Sequence, residues 1–561
     1  MLFFNPKSSK NLKIFYVSAV ILNTIAVMMT AVRGSILAIG VGFLIFALLY
    51  SSAYRSKRAK NILLGFIGLI FVFIVLGLLL KNTSFVQNSG YLKRITAFNL
   101  TDYTVQTRFW AWQAGIEGWK ESFKTIALGW GPENFDVPFS KHFNPKFFRG
   151  PGSETLFDRA HNMFVEILVT MGLLGFLSYL SIFFFSLMVL WKKLDSKDDI
   201  LYAIGLISLI FAYAIHNSFI FDTSANFFVF FTILGFISFI SNPKDLRDKE
   251  IKPRPTKVNN GLFSIVAGIL FILITVGIYK INVIPSIANY TTTRAIIAGW
   301  NNDFNGAVAK YKEALEYNVP GKYEIRHRFA QYILEQSSSG KLKPEQVDAV
   351  NAAIEAVQKN VDENKPDYLP YLYLSRLYII LGKDDPKSPY NDKALEYSMA
   401  ALKIAPDFVR TYYEIGQGYL NKDDLASAAI YFKKAAELNP DVGLSYWYWG
   451  IVEIEKGNTQ LGLSIIEDVI KSGKYTPSES DMTKLINIYA KTNDIPRLIW
   501  AHSVLVAIKP DNAQYHASFA VAYARAGKID DAVREAKKAV ELDPNFESEA
   551  RSFIQSLGRQ W

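Results

Sequence analysis

The chain has no cysteine. Disulfides, thiolate nucleophiles, zinc ribbons and iron–sulfur clusters are therefore excluded, redox chemistry has no support, and any segment outside the cytoplasm must be stable from its core alone. Histidine is scarce, with six in 561 residues, and the first half holds only His142, His161 and His216. Long apolar runs are absent after about Lys280. The large polar loop of the first half contains no nucleotide-phosphate motif, no zinc-ligand spacing and no Asp-x-Asp pair. A metal-dependent reaction on a nucleotide sugar is thus unsupported, and neither a metal nor a cofactor is expected.

What remains falls into two regimes. Hydrophobic residues make up 50% of the chain and charged residues 20%, too apolar for an ordinary soluble protein and too charged for membrane throughout. A bilayer core needs about 20 apolar residues per helix, and seven stretches come close: Ile14–Val32, Gly34–Tyr50, Ile62–Leu80, Ile167–Trp191, Ile200–His216, Thr223–Ser241 and Leu262–Tyr279. Lysine and arginine mark cytoplasmic loops. They cluster in Tyr54–Lys60, Trp191–Lys197 and Pro243–Lys257, which are alternate connections.

This pattern predicts a multi-pass plasma (inner) membrane protein with a cytoplasmic N-terminus. Val32–Arg33, the loop 81–162, the turn His216–Asp222 and everything after Lys280 then face outward. The predicted domain plan is a membrane domain over 1–241 with its large extracytoplasmic loop 81–162, a cytoplasmic linker 242–261, a further membrane helix 262–280 and a repeat domain 290–561. The first span runs into Arg33 and a second span without a small-residue cleavage site, which predicts a retained span rather than a cleaved signal peptide. Part of the net charge of +10 is this cytoplasmic excess, and no nucleic-acid partner is expected.

The C-terminal half repeats. Pro-Asp recurs at 366, 406, 440 and 510 with Pro-Asn at 544, and both 406 to 440 and 510 to 544 are 34 residues apart, the tetratricopeptide period. Each of these two units reads as a pair of amphipathic helices with small residues, Gly416, Ala428 and Ala435 or Ala520, Ala532 and Ala539, where paired helices approach. Weaker copies run through Asn302–Tyr317, Asp392–Pro406, Ser445–Gly473 and Met482–Pro510. Six or seven such pairs stack into a solenoid that binds a protein or glycan on its concave face, or serves as an inert spacer.

Within the membrane half, three places carry a family resemblance. Thr30-Ala-Val-Arg-Gly34 precedes an apolar span. Arg108-Phe-Trp-Ala-Trp112 leads to Leu128-Gly-Trp-Gly-Pro-Glu-Asn-Phe135. Arg159-Ala-His-Asn162 opens a long span with Met171-Gly-Leu-Leu-Gly175. In order and spacing, about residues 20–240 resemble the O-antigen ligase family. The resemblance implies a GT-C-like fold and transfer of a glycan from a polyprenyl-diphosphate carrier, on the outer side of the plasma membrane, to a lipid, glycan or protein acceptor. Two departures stand out. Val32 occupies a position where the family usually has serine, and the family's membrane domain usually has about twice as many spans. The resemblance therefore implies a partial membrane domain, without the N-terminal half. The expected fold class is all-α: a polytopic transmembrane helical domain, GT-C-like but partial, followed by a tetratricopeptide α-solenoid.

The chemistry constrains the candidate residues independently. Displacing a lipid diphosphate requires a cation for the leaving phosphates, and arginine binds phosphate oxygens bidentately without losing its proton. Arg33 and Arg108 are the candidates. The structural alternatives are an interfacial anchor for Arg33 and a cation stacked on Trp110 or Trp112 for Arg108. The acceptor hydroxyl must lose a proton, a task suited to histidine. His161 is the candidate base, flanked by Asp158, Arg159 and Asn162, with Asp158 placed to orient its ring if the helix already begins there; its alternative role is a helix-entry residue. Arg159, His216, Glu166 and Trp112 are candidate substrate-binding residues. Trp110, Trp112, Trp119 and Trp130 stack on sugars or form an interfacial belt. Gly129 and Gly131 permit a tight turn or an anion-binding backbone. His142 lies in a Phe- and Pro-rich stretch without a motif and is left out. The expected activity is a metal-independent membrane glycosyltransferase, with a protein partner on the repeats. The competing reading is a non-catalytic membrane-anchored scaffold for envelope assembly.

Overall fold

The computed structural model describes residues 9–54, 57–96, 101–150, 152–196, 198–242, 260–337 and 340–561. Most of the expected linker 242–261, with its basic residues, lies outside them. Every regular element among the described residues is helical, as the all-α class requires. The chain divides into two compact units, Met1–Asn439 and Pro440–Trp561.

Among the described residues, seven helices are long and apolar enough to cross a membrane. Six are α1 (Lys10–Met29), α2 (Arg33–Tyr54), α3 (Lys57–Leu80), α9 (Met163–Lys192), α10 (Ile200–Asn217) and α11 (Ser224–Ser241). The seventh runs unbroken over Gly261–Trp300. It comprises α12 (Asn260–Ile278), a π-helical turn over Tyr279–Val283 and α13 (Ile284–Trp300). The break between α1 and α2 is local chemistry. The Thr30 hydroxyl donates back to the Val27 carbonyl at 2.7 Å, and Ala31 adopts φ +51°, a left-handed value rare outside glycine, before Arg33 restarts the helix.

Between α3 and α9 the polar loop is itself folded. It contains α4 (Ser84–Gln87), α5 (Gly90–Thr96), α6 (Tyr103–Trp119), α7 (Phe123–Leu128) and α8 (Asp136–Lys141). The small residues Ala111, Ala114, Gly115 and Gly118 make one buried stripe on α6. A Cβ on Gly115 would lie 2.7 Å from the Phe135 ring, and one on Gly118 would lie 2.3 Å from Pro138 Cβ, so the stripe is what lets the loop close onto its first helix. Trp110, Trp112, Trp119 and Trp130 are half-buried struts of this loop. Trp119 Nε1 donates to Ile126 O at 3.1 Å and Trp130 Nε1 to Gly118 O at 3.0 Å.

The Phe-rich stretch then does something its sequence did not announce. Phe135, Phe139, Phe143, Phe147 and Phe157 form one buried cluster with Tyr368, Leu372, Ala401, Ala405 and Phe408 of the repeats. Burying a large side chain contributes roughly 1.5–3 kcal/mol, and several do so together here. Asn439 Nδ2 adds hydrogen bonds to Pro145 O (2.9 Å) and Phe148 O (2.7 Å). The Arg149 guanidinium lies 3.7 Å from the Tyr103 ring, whose hydroxyl donates to Phe147 O at 2.6 Å. The loop and the first repeats are thus one packed body.

Those first repeats comprise α13, α14 (Phe304–Glu316), α15 (Lys322–Ser337), α16 (Pro344–Glu363), α17 (Tyr368–Gly382), α18 (Pro389–Ile404), α19 (Val409–Asn421) and α20 (Leu425–Leu438). The expected small positions serve close helix approach: a Cβ on Gly416 would meet the Phe432 ring at 2.7 Å, and Ala428 and Ala435 are fully buried. Left-handed Asn302 and Asp423 turn the chain between paired helices, residues that tolerate that conformation best after glycine. The second unit continues the helical repeats around Trp447, Ile466, Leu485, Tyr489, Leu505 and Phe519, and the Arg551 guanidinium lies 4.4 Å from the Trp561 ring at its end.

Candidate active site

The entrance to α9 is held from both sides. Trp112 Nε1 donates to Ala160 O at 2.7 Å, while Ala160 N donates to Glu166 Oε2 at 2.7 Å. Asn162 caps α9, its Oδ1 accepting from Phe164 N and Val165 N at 3.0 and 3.2 Å. Because α9 begins only at Met163, Asp158 does not share a helical turn with His161. His161 instead sits just outside the helix at φ +50°, a conformation that costs free energy unless the surroundings impose it. Its Nδ1 lies 3.2 Å from Arg159 O. A carbonyl only accepts, so Nδ1 carries the proton in this contact, leaving Nε2 as the base lone pair.

Arg159 and Glu166 form the rim beside it. Arg159 pairs with Glu133, itself left-handed at φ +68°, and its Nη1 lies 3.7 Å from Glu166 Oε1. Glu166 is only 3% exposed, and its Oε1 has no hydrogen-bond partner. A buried carboxylate costs several kcal/mol in desolvation, so Arg159 and the Ala160 amide are what hold it there.

Arg108 and His161 come from separate segments and reach one turn, Ser218–Asp222, between α10 and α11, on which Gly34 beside Arg33 also packs. Arg108 Nη1 donates to Phe219 O at 3.1 Å, and burial lowers the pKa of this guanidinium. Gly34, next to Arg33, packs against the same residue: a Cβ there would stand 2.7 Å from Phe219 Cβ. Two residues on, the Phe221 ring lies 5.5 Å from the His161 ring and 5.6 Å from the Arg159 guanidinium. Arg33 Nε donates to Arg94 O at 2.6 Å, with Asp102 3.6 Å from Nη1. Each arginine therefore keeps several of its five N–H donors for another anion. His216 Nδ1 lies 3.2 Å from Ser35 Oγ, two residues past Arg33.

Phe219, Phe221, Asp222 and Glu133 were missed from sequence. Asp222 accepts from Tyr213 Oη at 2.7 Å and Asn217 Nδ2 at 2.9 Å, and burial raises its pKa. A carboxylate at the mouth of two spans is costly unless it is held in this way, and that was the available signal. Trp112 Nε1 is engaged by the backbone beside His161, and its ring is half-buried.

The two glycines flanking Trp130 do not form an anion cradle. Helix α9 kinks at Gly172, φ +65°, which frees two carbonyls, and Trp130 N and Gly131 N donate to Val169 O (3.0 Å) and Thr170 O (2.7 Å). The kink and the Leu128-Gly-Trp-Gly segment are two halves of one joint. It fixes the loop against the helix that carries Glu166.

Residues 18–180 match the family model for O-antigen ligase, and residues 409–442 and 513–546 match tetratricopeptide repeats. No curated protein matches the chain. Among solved structures, YrrB, described as a TPR protein with an unusual peptide-binding site, is 20% identical and is matched over 34% of this chain and 94% of its own, with a TM-score of 0.27. MamA gives 22%, 31%, 94% and 0.25. A tetratricopeptide repeat protein from Parabacteroides merdae ATCC 43184 gives 15%, 48%, 97% and 0.32. The chain thus carries an O-antigen ligase domain and tetratricopeptide repeats, and with its seven apolar helices it is a membrane protein.

Proposed function

We propose that the chain is a membrane glycosyltransferase of the O-antigen ligase type, moving a glycan from a polyprenyl-diphosphate carrier to a lipid, glycan or protein acceptor outside the cytoplasm. The observation that carries this reading is that Arg108 and His161 reach the turn Ser218–Asp222, on which Gly34 beside Arg33 also packs, with the O-antigen ligase domain over 18–180 as its support. In the reaction, His161 Nε2 takes the acceptor hydroxyl proton as the acceptor oxygen bonds to the sugar's anomeric carbon. The bond from that carbon to the phosphate oxygen breaks, and the diphosphate leaves with added negative charge. Arg33 and Arg108 stabilise that charge. Arg159 and Glu166 hold the base's segment, and His216 lines the pocket from α10.

In this reading the membrane domain spans 1–241, the loop 81–162 and the repeats 290–561 face outward, and 242–261 links them through the cytoplasmic side. The repeats present the acceptor or recruit a protein partner.

The test is transfer from a polyprenyl-diphosphate glycan in vesicles containing the full chain. Removing a positioned general base typically costs 10²–10⁴-fold, so His161→Ala is expected to fall by that range and Arg108→Ala comparably. If both variants are present in the membrane at normal level and transfer as fast as wild type, the chain is a scaffold and not the enzyme. A reporter after Lys280 that reads cytoplasmic would overturn the orientation.

A further inference from the structure

A cavity of about 260 Å³ opens on the first repeat, lined by Ile296, Gly299 and Trp300 of α13, Tyr311 of α14, and Arg328, Gln331, Tyr332, Glu335 and Gln336 of α15. We infer that it is a docking pocket for one neutral sugar unit of a glycan chain, set apart from the loop site.

Four observations point there. The Trp300 side chain is 78% exposed, an unusual position for the most aromatic-rich surface a residue can offer, and an indole face stacks on an apolar ring face. With the last span ending near Lys280, as the proposed membrane plan has it, Trp300 stands 20 residues further along a continuous helix, about 30 Å along the axis at 1.5 Å per residue, clear of an interfacial belt.

Behind it, Tyr311 is 2% exposed and lines the cavity. A tyrosine hydroxyl both donates and accepts, which matches a sugar hydroxyl. Gly299 shapes the wall: a Cβ there would lie 2.7 Å from Tyr332 Cε2, so glycine is what allows that ring to lie flat against the helix.

The charge balance selects the ligand. The lining holds one cation, Arg328, already bonded through Nε to Glu324 at 2.6 Å, and one carboxylate, Glu335, which accepts from Gln331 Nε2 at 3.0 Å. A phosphate would meet Glu335, and an apolar group would desolvate two amides. Neutral hydroxyls match donors and acceptors of both kinds. The volume falls below the roughly 300–1,000 Å³ of a drug-sized pocket, enough for one ring rather than a chain. The choice of a glycan rests on the transferase reading, because such a pocket lets the repeats grip the polymer that the loop site handles.

The experiment measures binding of fluorescent neutral hexose and N-acetylhexosamine oligosaccharides, two to six units long, to the full chain in nanodiscs. Wild type is expected to bind at least one of them. Trp300→Ala should weaken that binding roughly tenfold, the loss of one stacking contact. Tyr311→Phe, which keeps the ring, should weaken it several-fold, and Arg108→Ala should bind as wild type does. If wild type binds none, or Trp300→Ala binds as tightly as wild type, the pocket is not a sugar site and the transferase reading is untouched. If Trp300-sensitive binding is present but wild type transfers no glycan, the transferase reading fails and the pocket stands.

Discussion

The rings of Phe143 and Phe408, one in the polar loop and the other in the repeats, lie with centroids 4.1 Å apart. This contact sits inside a cluster from which both rings are almost wholly withdrawn from solvent. Phe408→Ala is expected to cost about 3–5 kcal/mol, in the range of large-to-small core changes, and to expose the loop between α8 and α9 to protease. A double-mutant cycle with Phe143→Ala should return a coupling of about 0.5–1.5 kcal/mol. Limited proteolysis and thermal unfolding of the detergent-solubilised chain measure both effects. Additive losses with an unchanged cleavage pattern would mean that the loop and repeats fold independently.

Gly129 and Gly172 meet backbone to backbone. A Cβ on Gly129 would come within 2.3 Å of Thr170 C, and one on Gly172 within 2.4 Å of Ala127 C. Both also have positive φ. Alanine at either site is expected to destabilise the protein by more than the ~1 kcal/mol ordinary for a left-handed position, since backbone cannot yield as a side chain can. Unfolding temperature is the measurement, with Gly150→Ala as the comparison, a positive-φ glycine with open space around it.

Asp136 opens α8 at the edge of the same cluster. Burial, and then the charge of Asp367 across the packed loop–repeat contact, push its pKa up to about 7. The unfolded value is near 4, so the folded chain binds this proton more tightly. The resulting stability is fully present below about pH 4 and lost as pH rises to about 7. Asp367 is shifted the same way by burial, although Tyr323 donates a hydrogen bond to it. Asp136→Asn should therefore flatten the decline in unfolding temperature between about pH 4 and about pH 7. A variant as pH-dependent as wild type would show that the titrating group lies elsewhere.

Trp112→Phe removes the hydrogen bond to Ala160 O while keeping an aromatic ring. If Trp112 positions the His161 segment, kcat should fall about tenfold with KM little changed. A rise in KM at constant kcat would instead make it a sugar-binding ring.

The sequence could disclose whatever is encoded over short range. Seven apolar stretches of span length and a 34-residue period are such signals, and the helices follow them within a few residues. The docking of Phe143 on Phe408 is not, because the phenylalanines between 135 and 157 follow neither a helical nor a strand period, and their partner lies far along the chain. The site divides the same way. Arg108 and His161 stood out as charged or titratable residues in apolar surroundings, whereas the turn that they reach meets them through a backbone carbonyl and a phenylalanine ring. The amides of Trp130 and Gly131 could not be assigned without knowing that α9 breaks at Gly172.

The helix Gly261–Trp300 carries the last apolar span into the first repeat without a break, while the loop clasps the repeats of the same unit through Phe408 and Asn439. These repeats are thus tethered at two places far apart in sequence, one a covalent helix and the other a packed cluster. Loosening the cluster would leave the helix as the tether that remains.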